Sequence, residues 1–239
     1  MQGHRLSIFA EMSMLAAETG AINLGQGFPD TDGPTEVLDA AVAAIRAGHN
    51  QYPPDRGIPE LRRAVAEHQD RFYGQEVDPD DVMVSTGASE AIGAAIMALV
   101  SEGQEVVVFE PYFDLYAAVI ALAGGVRRAV TLRAPDYSFD EAQLAAAIGP
   151  ETRLILLNTP HNPTGKVFSP EELGVIARLA VQHDLLVVTD EVYEHMTYDG
   201  TQHVPIATLP GMAERTVTIS SGGKSFGLTG WKVGWAHGP

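Results

Sequence analysis

Short apolar runs alternate with helical patterns along most of the chain, and this alternation is the strongest constraint on its fold. Three of the runs read EVVVFE at 105–110, TRLILLN at 152–158 and LLVVTD at 185–190. They are apolar at nearly every position, which is typical of strands covered by helices on both faces. The pattern therefore predicts an α/β fold with a mainly parallel sheet flanked by helices.

The same pattern gives the expected bounds of each element. The predicted strands are 81–85, 105–110, 126–132, 152–158, 185–190 and 216–220, and the predicted helices are 7–19, 34–47, 58–72, 89–99, 113–122, 140–148 and 170–183. Ligands of such folds bind at the carboxyl ends of the strands. Polar or aromatic residues follow five of these ends, at 86–89, 110–113, 158–162, 190–193 and 220–224. We therefore expect a ligand site at this edge of the sheet.

Composition excludes several classes of function. The chain has 15 Lys and Arg against 31 Asp and Glu, a formal charge of −16, which argues against nucleic acid or an anionic membrane as a partner. It has no cysteine, which excludes disulfides and thiolate chemistry. No apolar run approaches the roughly 20 residues of a membrane-spanning helix. Polar residues interrupt the first 15 residues, where a secretory signal would be apolar, so we expect a cytoplasmic protein.

The segment SSGGKSFGLTGWKVGW at 220–235 contains two of the three lysines, Lys224 and Lys232. A lysine held out of water loses its proton more readily and can form a Schiff base. A second cation eight positions later can hold an anion. Together they suggest pyridoxal phosphate, with one lysine for the aldehyde and one for the phosphate. The alternative is a glycine-rich loop with two solvated lysines.

Two further strand ends suit parts of the same ligand. TGASEA opens a helix, so the N–H groups of Ala88 and Ser89 favour a phosphate, although Ser89 could instead be a simple N-cap. Asp190 ends a buried strand, where a carboxylate is costly unless it is paired. A pyridinium nitrogen is one partner, and an arginine or a helix N-terminus is the structural alternative.

Better-known motifs do not match. GGKS at 222–225 has Thr218 where a phosphate-binding loop needs its first glycine, and GASEA lacks the second glycine of a nucleophile elbow. The eight histidines show no metal-ligand spacing, so we expect no metal site.

Seven segments occur in the order found in one enzyme family. They are NLGQGFPD, NQYPPDRGIPELR, STGASEA, EPYFDLY, NTPHNPTGKVFS, TDEVYEHMTYDG and SSGGKSFGLTGWKVGW. From about residue 8 to its end the chain resembles class I/II aminotransferases of pyridoxal-phosphate (PLP) fold type I. The resemblance is greatest to the branch of kynurenine/glutamine and N-succinyldiaminopimelate aminotransferases.

The resemblance implies pyridoxal 5'-phosphate as cofactor and transfer of an amino group from an L-amino acid to a 2-oxo acid. Lys224 would form the internal aldimine and move the proton of the 1,3-shift, and Asp190 would pair with the pyridinium nitrogen. The resemblance also implies that Tyr193 and Asn162 hydrogen-bond the phenolate oxygen of the cofactor and that Phe113 stacks on its ring. The residues implied to hold the phosphate are Ala88, Ser89, Ser221, Lys232 and, from a neighbouring subunit, Tyr52. Gly27 and Asn162 would lie beside the substrate.

The resemblance also implies a domain organisation. Residues 1–33 would form an N-terminal helix and a substrate-side loop, and residues 34–239 the PLP-binding large domain. We expect that domain to be incomplete at its C-terminal end, with the small domain and its carboxylate-binding arginine absent. A homodimer is expected. Two alternatives stay open: a catalytically silent cofactor-binding fragment, and a PLP-dependent β-lyase that splits C–S bonds.

Overall fold

The computed structural model describes residues 8–25, 27, 29 and 32–239. The chain divides into two compact units, Met1–Asp32 and Gly33–Pro239. The first unit contains helix α1, Ile8–Thr19. Within this unit Asn23 Nδ2 donates a hydrogen bond of 3.0 Å to Ser13 Oγ. The predicted start of this helix at residue 7 and three residues of the NLGQGFPD loop lie outside the described residues.

The second unit alternates helices and strands as predicted. Its helices are α2 Thr35–Arg46, α3 Pro59–Tyr73, α4 Ala88–Leu99, α5 Asp114–Leu122, α6 Glu141–Ala147, α7 Pro170–Gln182 and α8 Gly222–Ser225. The strands are β1 Val82–Thr86, β2 Glu105–Glu110, β3 Val126–Thr131, β4 Thr152–Asn158, β5 Leu186–Asp190, β6 Thr216–Ser221 and β7 Val233–His237. Short 3₁₀ turns are Pro79–Asp81, Ile206–Thr208, Ala213–Arg215 and Thr229–Trp231.

The strands form one seven-stranded sheet in the order β1-β7-β6-β5-β4-β2-β3. Neighbours from β6 to β3 pair in parallel, whereas β7 is antiparallel to both β1 and β6. The prediction of a mainly parallel α/β sheet is therefore confirmed. Every predicted element from residue 34 onward is found to within one residue at each end. Strand β7 and helix α8 were not predicted.

Alternate residues of the central strands supply two separate cores, as expected when helices cover both faces. On one face Ile155, Leu157 and Val187 pack with residues of α6 and α7. On the other face Leu156 and Val188 pack with residues of α4 and α5. All five side chains are essentially buried. The strands are thus fixed from both sides, and their carboxyl ends form a rigid edge.

Local sequence explains where the helices begin and end. Helix α7 starts with a capping box, in which the Ser169 side chain accepts the Glu172 N–H and the Glu172 side chain accepts the Ser169 N–H. Pro170 occupies the first helical position, where no N–H is needed. Among the described residues, no helix is long and apolar enough to cross a membrane.

Strand β7 is held against β1 by a close backbone contact at Gly234. This residue pairs with Ser85 of β1 on one side and with Ser221 of β6 on the other. A Cβ atom at Gly234 would lie 2.4 Å from Gly87 C and 2.5 Å from Ala88 N. Only glycine allows this approach, because the atoms that a side chain would meet belong to the backbone and cannot rotate away.

We predict that Gly234→Ala lowers the free energy of unfolding by at least about 2 kcal/mol, because overpacking against fixed atoms costs this much. The matched control is Gly174→Ala in α7, where an added Cβ meets nothing within 4 Å. That substitution should stabilise the chain by about 0.5–1 kcal/mol through helix propensity. Urea unfolding measures both changes, and equal effects of the two substitutions would contradict the close contact.

Candidate active site

Lys224 lies in the first turn after β6, in the short helix α8. Its Nζ is 5.7 Å from the centre of the Tyr193 ring, within range of a cation–π contact. Burial lowers the pKa of Lys224, the charge of Lys232 lowers it further, and the Asp190 carboxylate opposes the change. The Lys224 amine therefore loses its proton more readily than a solvated lysine.

Asp190 ends β5 and is buried, with 5% of its surface exposed. Tyr116 Oη donates to its Oδ2 at 2.6 Å, and the Val192 N–H donates to its Oδ1 at 3.3 Å. Burial raises the pKa of Asp190 to about 6, although both hydrogen bonds act in the opposite direction. Among the described residues its donors are thus a phenol and a backbone amide, not the arginine or helix N-terminus considered as alternatives. This carboxylate would be stabilised by a cationic partner.

The start of α4, Lys232 and Ser221 are brought together by β7. Gly87 is the N-cap of α4 with φ 78°, and no side chain among the described residues caps the helix, so Ser89 is not the N-cap considered from the sequence. A Cβ at Gly87 would lie 3.8 Å from Lys232 Cα, which places that lysine beside the helix start. Lys232 itself has φ 57°, an uncommon conformation for a residue other than glycine. Backbone N–H groups, a helix dipole and a lysine together favour an anion.

Tyr193 lies in the turns that follow β5, three residues after Asp190. Burial raises its pKa, and the charge of Asp190 raises it further. The phenol therefore remains protonated at neutral pH and can donate a hydrogen bond. Its ring faces the amine of Lys224, so the two side chains border the same space.

The buried side chain of Asn158 fixes the loop that carries Asn162. Its Nδ2 donates to the Asp190 carbonyl at 2.8 Å and to the Pro160 carbonyl at 3.1 Å. Its Oδ1 accepts the Asn162 N–H at 2.7 Å. These bonds tie the loop that carries Asn162 to the end of β5. Asn158 is thus a positioning residue to which the sequence assigned no role.

Phe113 is the N-cap of α5, and its ring meets the Tyr116 ring edge-to-face with centroids 5.8 Å apart. Phe113 therefore contacts the residue that donates a hydrogen bond to Asp190. Tyr116 gave no signal in the sequence, because nothing distinguishes it from other apolar residues of a helix. One further predicted site residue is not brought to this group, because the Tyr52 side chain is 100% exposed. Gly27 belongs to the unit Met1–Asp32, and its role beside the substrate stays a prediction.

The arrangement offers an amine of lowered pKa, a buried carboxylate of raised pKa and an anion-binding helix start at one edge of the sheet. A ligand that satisfies all three has an electrophilic carbonyl, a basic ring nitrogen and a phosphate. These residues fit pyridoxal 5'-phosphate, since each of its polar groups meets a side chain or backbone group of matching chemistry.

Comparison with known proteins gives the same assignment. The profile of the family described as "Aminotransferase class I and II" matches residues 19–239. The chain belongs to the class I and II aminotransferases. A probable N-succinyldiaminopimelate aminotransferase of Mycobacterium tuberculosis is 51% identical over 100% of this chain and 61% of its own length. The kynurenine–oxoglutarate transaminase of Dictyostelium discoideum is 44% identical over 98% of this chain and 58% of its own.

Solved structures agree with the family. The N-succinyldiaminopimelate aminotransferase of Mycobacterium tuberculosis superimposes with a TM-score of 0.96 over 100% of this chain and 63% of its own, at 51% identity. The chain thus spans about 60% of the length of the relatives it matches. Family and cofactor are as the resemblance implied, because class I/II aminotransferases depend on pyridoxal phosphate.

The raised pKa of Asp190 predicts a pH-dependent loss of stability in the cofactor-free chain. The folded pKa of about 6 lies above the roughly 3.9 of an unfolded aspartate. The folded state binds this proton more tightly, so stability falls as pH rises from about 4 to about 6. The free energy of unfolding of Asp190→Asn should not fall in this way. Relative to wild type, it should therefore increase by about 2–3 kcal/mol between pH 4 and pH 6.

Urea unfolding at several pH values between 4 and 7 measures this difference. The matched control is Asp114→Asn, at an exposed position in the first turn of α5. Its stability should keep the fall between pH 4 and 6 that wild type shows, because Asp190 is intact. Parallel pH profiles for wild type and Asp190→Asn would contradict the raised pKa.

The anion site predicts a selective effect of Lys232→Gln. Loss of a charged hydrogen bond to phosphate costs about 1.5–3 kcal/mol, so affinity for pyridoxal phosphate should fall roughly tenfold or more. Affinity for pyridoxal, which has no phosphate, should fall less, because it loses only the effect of the Lys232 charge on the Lys224 pKa. Titrations followed by absorbance give both constants, and an equal loss for the two ligands would contradict the assignment of Lys232 to the phosphate.

Proposed function

We propose that this chain acts as a pyridoxal-phosphate-dependent aminotransferase that moves an amino group from an L-amino acid to a 2-oxo acid. The observation that carries the proposal is the Lys224 amine, of lowered pKa, beside the buried carboxylate of Asp190 at the edge where β7 places the anion-binding helix start. When bound, pyridoxal phosphate supplies an aldehyde that bonds covalently to an amine and a ring that accepts electrons from the substrate.

Lys224 has two tasks in this proposal. Its Nζ attaches the cofactor, and when it is free again it takes a proton from the substrate carbon and returns one at the other end of the 1,3-shift. Both tasks need the unprotonated amine, and burial together with the charge of Lys232 increases its share at neutral pH. The Tyr193 ring, with its centre 5.7 Å from Nζ, borders the space in which the amine acts.

Asp190 holds a proton on the ring nitrogen. A buried carboxylate is a strong partner for that proton because little water competes with it. Tyr116 orients the carboxylate through its hydrogen bond to Oδ2. Tyr193, kept protonated by its raised pKa, and Asn162, fixed by Asn158, hydrogen-bond the ring oxygen.

The remaining site residues bind and orient the cofactor. Phe113 stacks on the ring, from a position next to Tyr116. The N–H groups of Ala88 and Ser89 at the start of α4, the Ser221 hydroxyl and the Lys232 amine bind the phosphate. These contacts would hold the cofactor in one orientation relative to Lys224.

We further propose that the protein is a cytoplasmic homodimer. The full exposure of Tyr52 supports a contact with the phosphate of a neighbouring subunit, because its side chain is available to another chain. Gly27 would lie beside the substrate carboxylate, where a side chain would obstruct. The relatives are named for N-succinyldiaminopimelate, kynurenine and methionine, and we propose an amino donor of this group.

Borohydride reduction tests the covalent attachment. After incubation with pyridoxal phosphate, reduction should fix one pyridoxyl group per chain on Lys224, identified by peptide mass spectrometry. Lys224→Ala should lose this label, whereas Lys166→Arg should keep it, because Lys166 pairs with Glu172 away from the site. Unchanged labelling in Lys224→Ala would refute the assignment.

Product analysis separates the three candidate reactions. An aminotransferase forms a new amino acid only when a 2-oxo acid is supplied. A β-lyase forms pyruvate and ammonia from a cysteine conjugate without it, and a silent fragment forms neither product although Lys224 is labelled. Either of the last two results would refute amino transfer by this chain.

A further inference from the structure

Three potential metal-ligand atoms meet at a place that the proposed function does not use. They belong to His68 on α3 and to Glu194 and His195 in the turns after β5. One ligand atom from each side chain lies within 4.8 Å of the others. Nothing in the sequence indicates this cluster, because His68 and His195 are 127 positions apart and only the fold brings them together.

The two imidazoles face each other through their Nε2 atoms, which are 2.7 Å apart. Their rings are nearly perpendicular, at 89°, with centroids 5.0 Å apart. If one of the two neutral imidazoles carries its proton on Nε2, the pair forms a single N–H···N hydrogen bond. With both protons on Nδ1, the two Nε2 lone pairs instead point at one position, which a cation can occupy.

Glu194 supplies a carboxylate that is already oriented. Its side chain is 1% exposed, and Oε2 lies 3.9 Å from His68 Nε2. Tyr73 Oη donates to Oε2 at 2.7 Å, and Ser220 Oγ donates to Oε1 at 2.5 Å. Each oxygen keeps a further lone pair after these bonds. Hydrogen bonds of this kind are typical of the groups that orient a metal-ligating carboxylate.

We propose that His68, Glu194 and His195 bind a divalent transition-metal cation, with Zn²⁺ as the best match to two imidazoles and one carboxylate. Bonds of about 2.0–2.1 Å in a tetrahedron place ligand atoms roughly 3.3 Å apart. The His68–His195 separation of 2.7 Å is shorter than this value and the His68–Glu194 separation of 3.9 Å is longer. His195 is exposed in a turn, so it can adjust to the metal and leaves the fourth position to water.

The proposed ion would link α3 to the turns that follow β5. Glu194 and His195 come directly after Tyr193, which borders the candidate active site. Bound metal would therefore restrain the segment that carries Tyr193. The metal site and the cofactor site remain separate in their ligands, so either can fail experimentally without the other.

Zinc titration of the tag-free chain, at a fixed concentration of pyridoxal phosphate, tests the proposal. Isothermal titration calorimetry should show one Zn²⁺ per chain in wild type and an affinity at least about tenfold lower in His195→Ala, as loss of a ligand should cost no less than loss of a supporting hydrogen bond. His183→Ala is the matched control, because His183 is an exposed histidine at the end of α7. Its affinity should equal that of wild type.

Two measurements decide the ligands. X-ray absorption of the zinc-loaded chain should show two imidazoles, and Zn²⁺ should raise the unfolding temperature of wild type and His183→Ala more than that of His195→Ala. The proposal is overturned if wild type binds no Zn²⁺, if wild type and His195→Ala bind it equally, or if fewer than two imidazoles are found. In those cases the two histidines form a hydrogen bond only.

Discussion

The candidate site depends on the insertion of one antiparallel strand, β7, between β1 and β6. Gly234 makes this possible, since its backbone lies where any side chain would meet the Gly87–Ala88 peptide. The pairing places Ser221 on one side of Gly234 and the strand before α4 on the other. Lys232, just before β7, then lies beside the helix start. A single backbone contact thus assembles an anion-binding site from the start of α4 and the segment 220–235.

The second constraint is electrostatic. Asp190 is buried at the end of β5 with only neutral donors among its described hydrogen-bond partners, so its charged form is expensive in the free chain. The same burial makes it a strong partner for a cationic ring nitrogen. Lys224 shows the complementary effect, with its charge disfavoured by burial and by Lys232. In both residues the charged form of the side chain is destabilised by its surroundings, which is typical of residues in binding and catalytic sites.

The sequence predicted the fold and the chemistry of the site, but not the contacts that build the site. Apolar strands and amphipathic helices have strong periodic signals, so their bounds agree with the structure to within one residue. Strand β7 has no such signal, because VGWAH contains glycine and polar or small residues and follows another glycine-rich stretch. Tyr116 and Asn158 were missed because each of them hydrogen-bonds Asp190, which is distant from both in sequence. The histidine cluster was missed for the same reason.

A crystal structure of the chain with pyridoxal phosphate bound is the most direct test of this account. The ring nitrogen should lie within hydrogen-bonding distance of the Asp190 carboxylate, and the phosphate should contact the first N–H groups of α4 together with Ser221 and Lys232. A ring nitrogen directed away from Asp190, or a phosphate bound elsewhere than at the start of α4, would contradict the account.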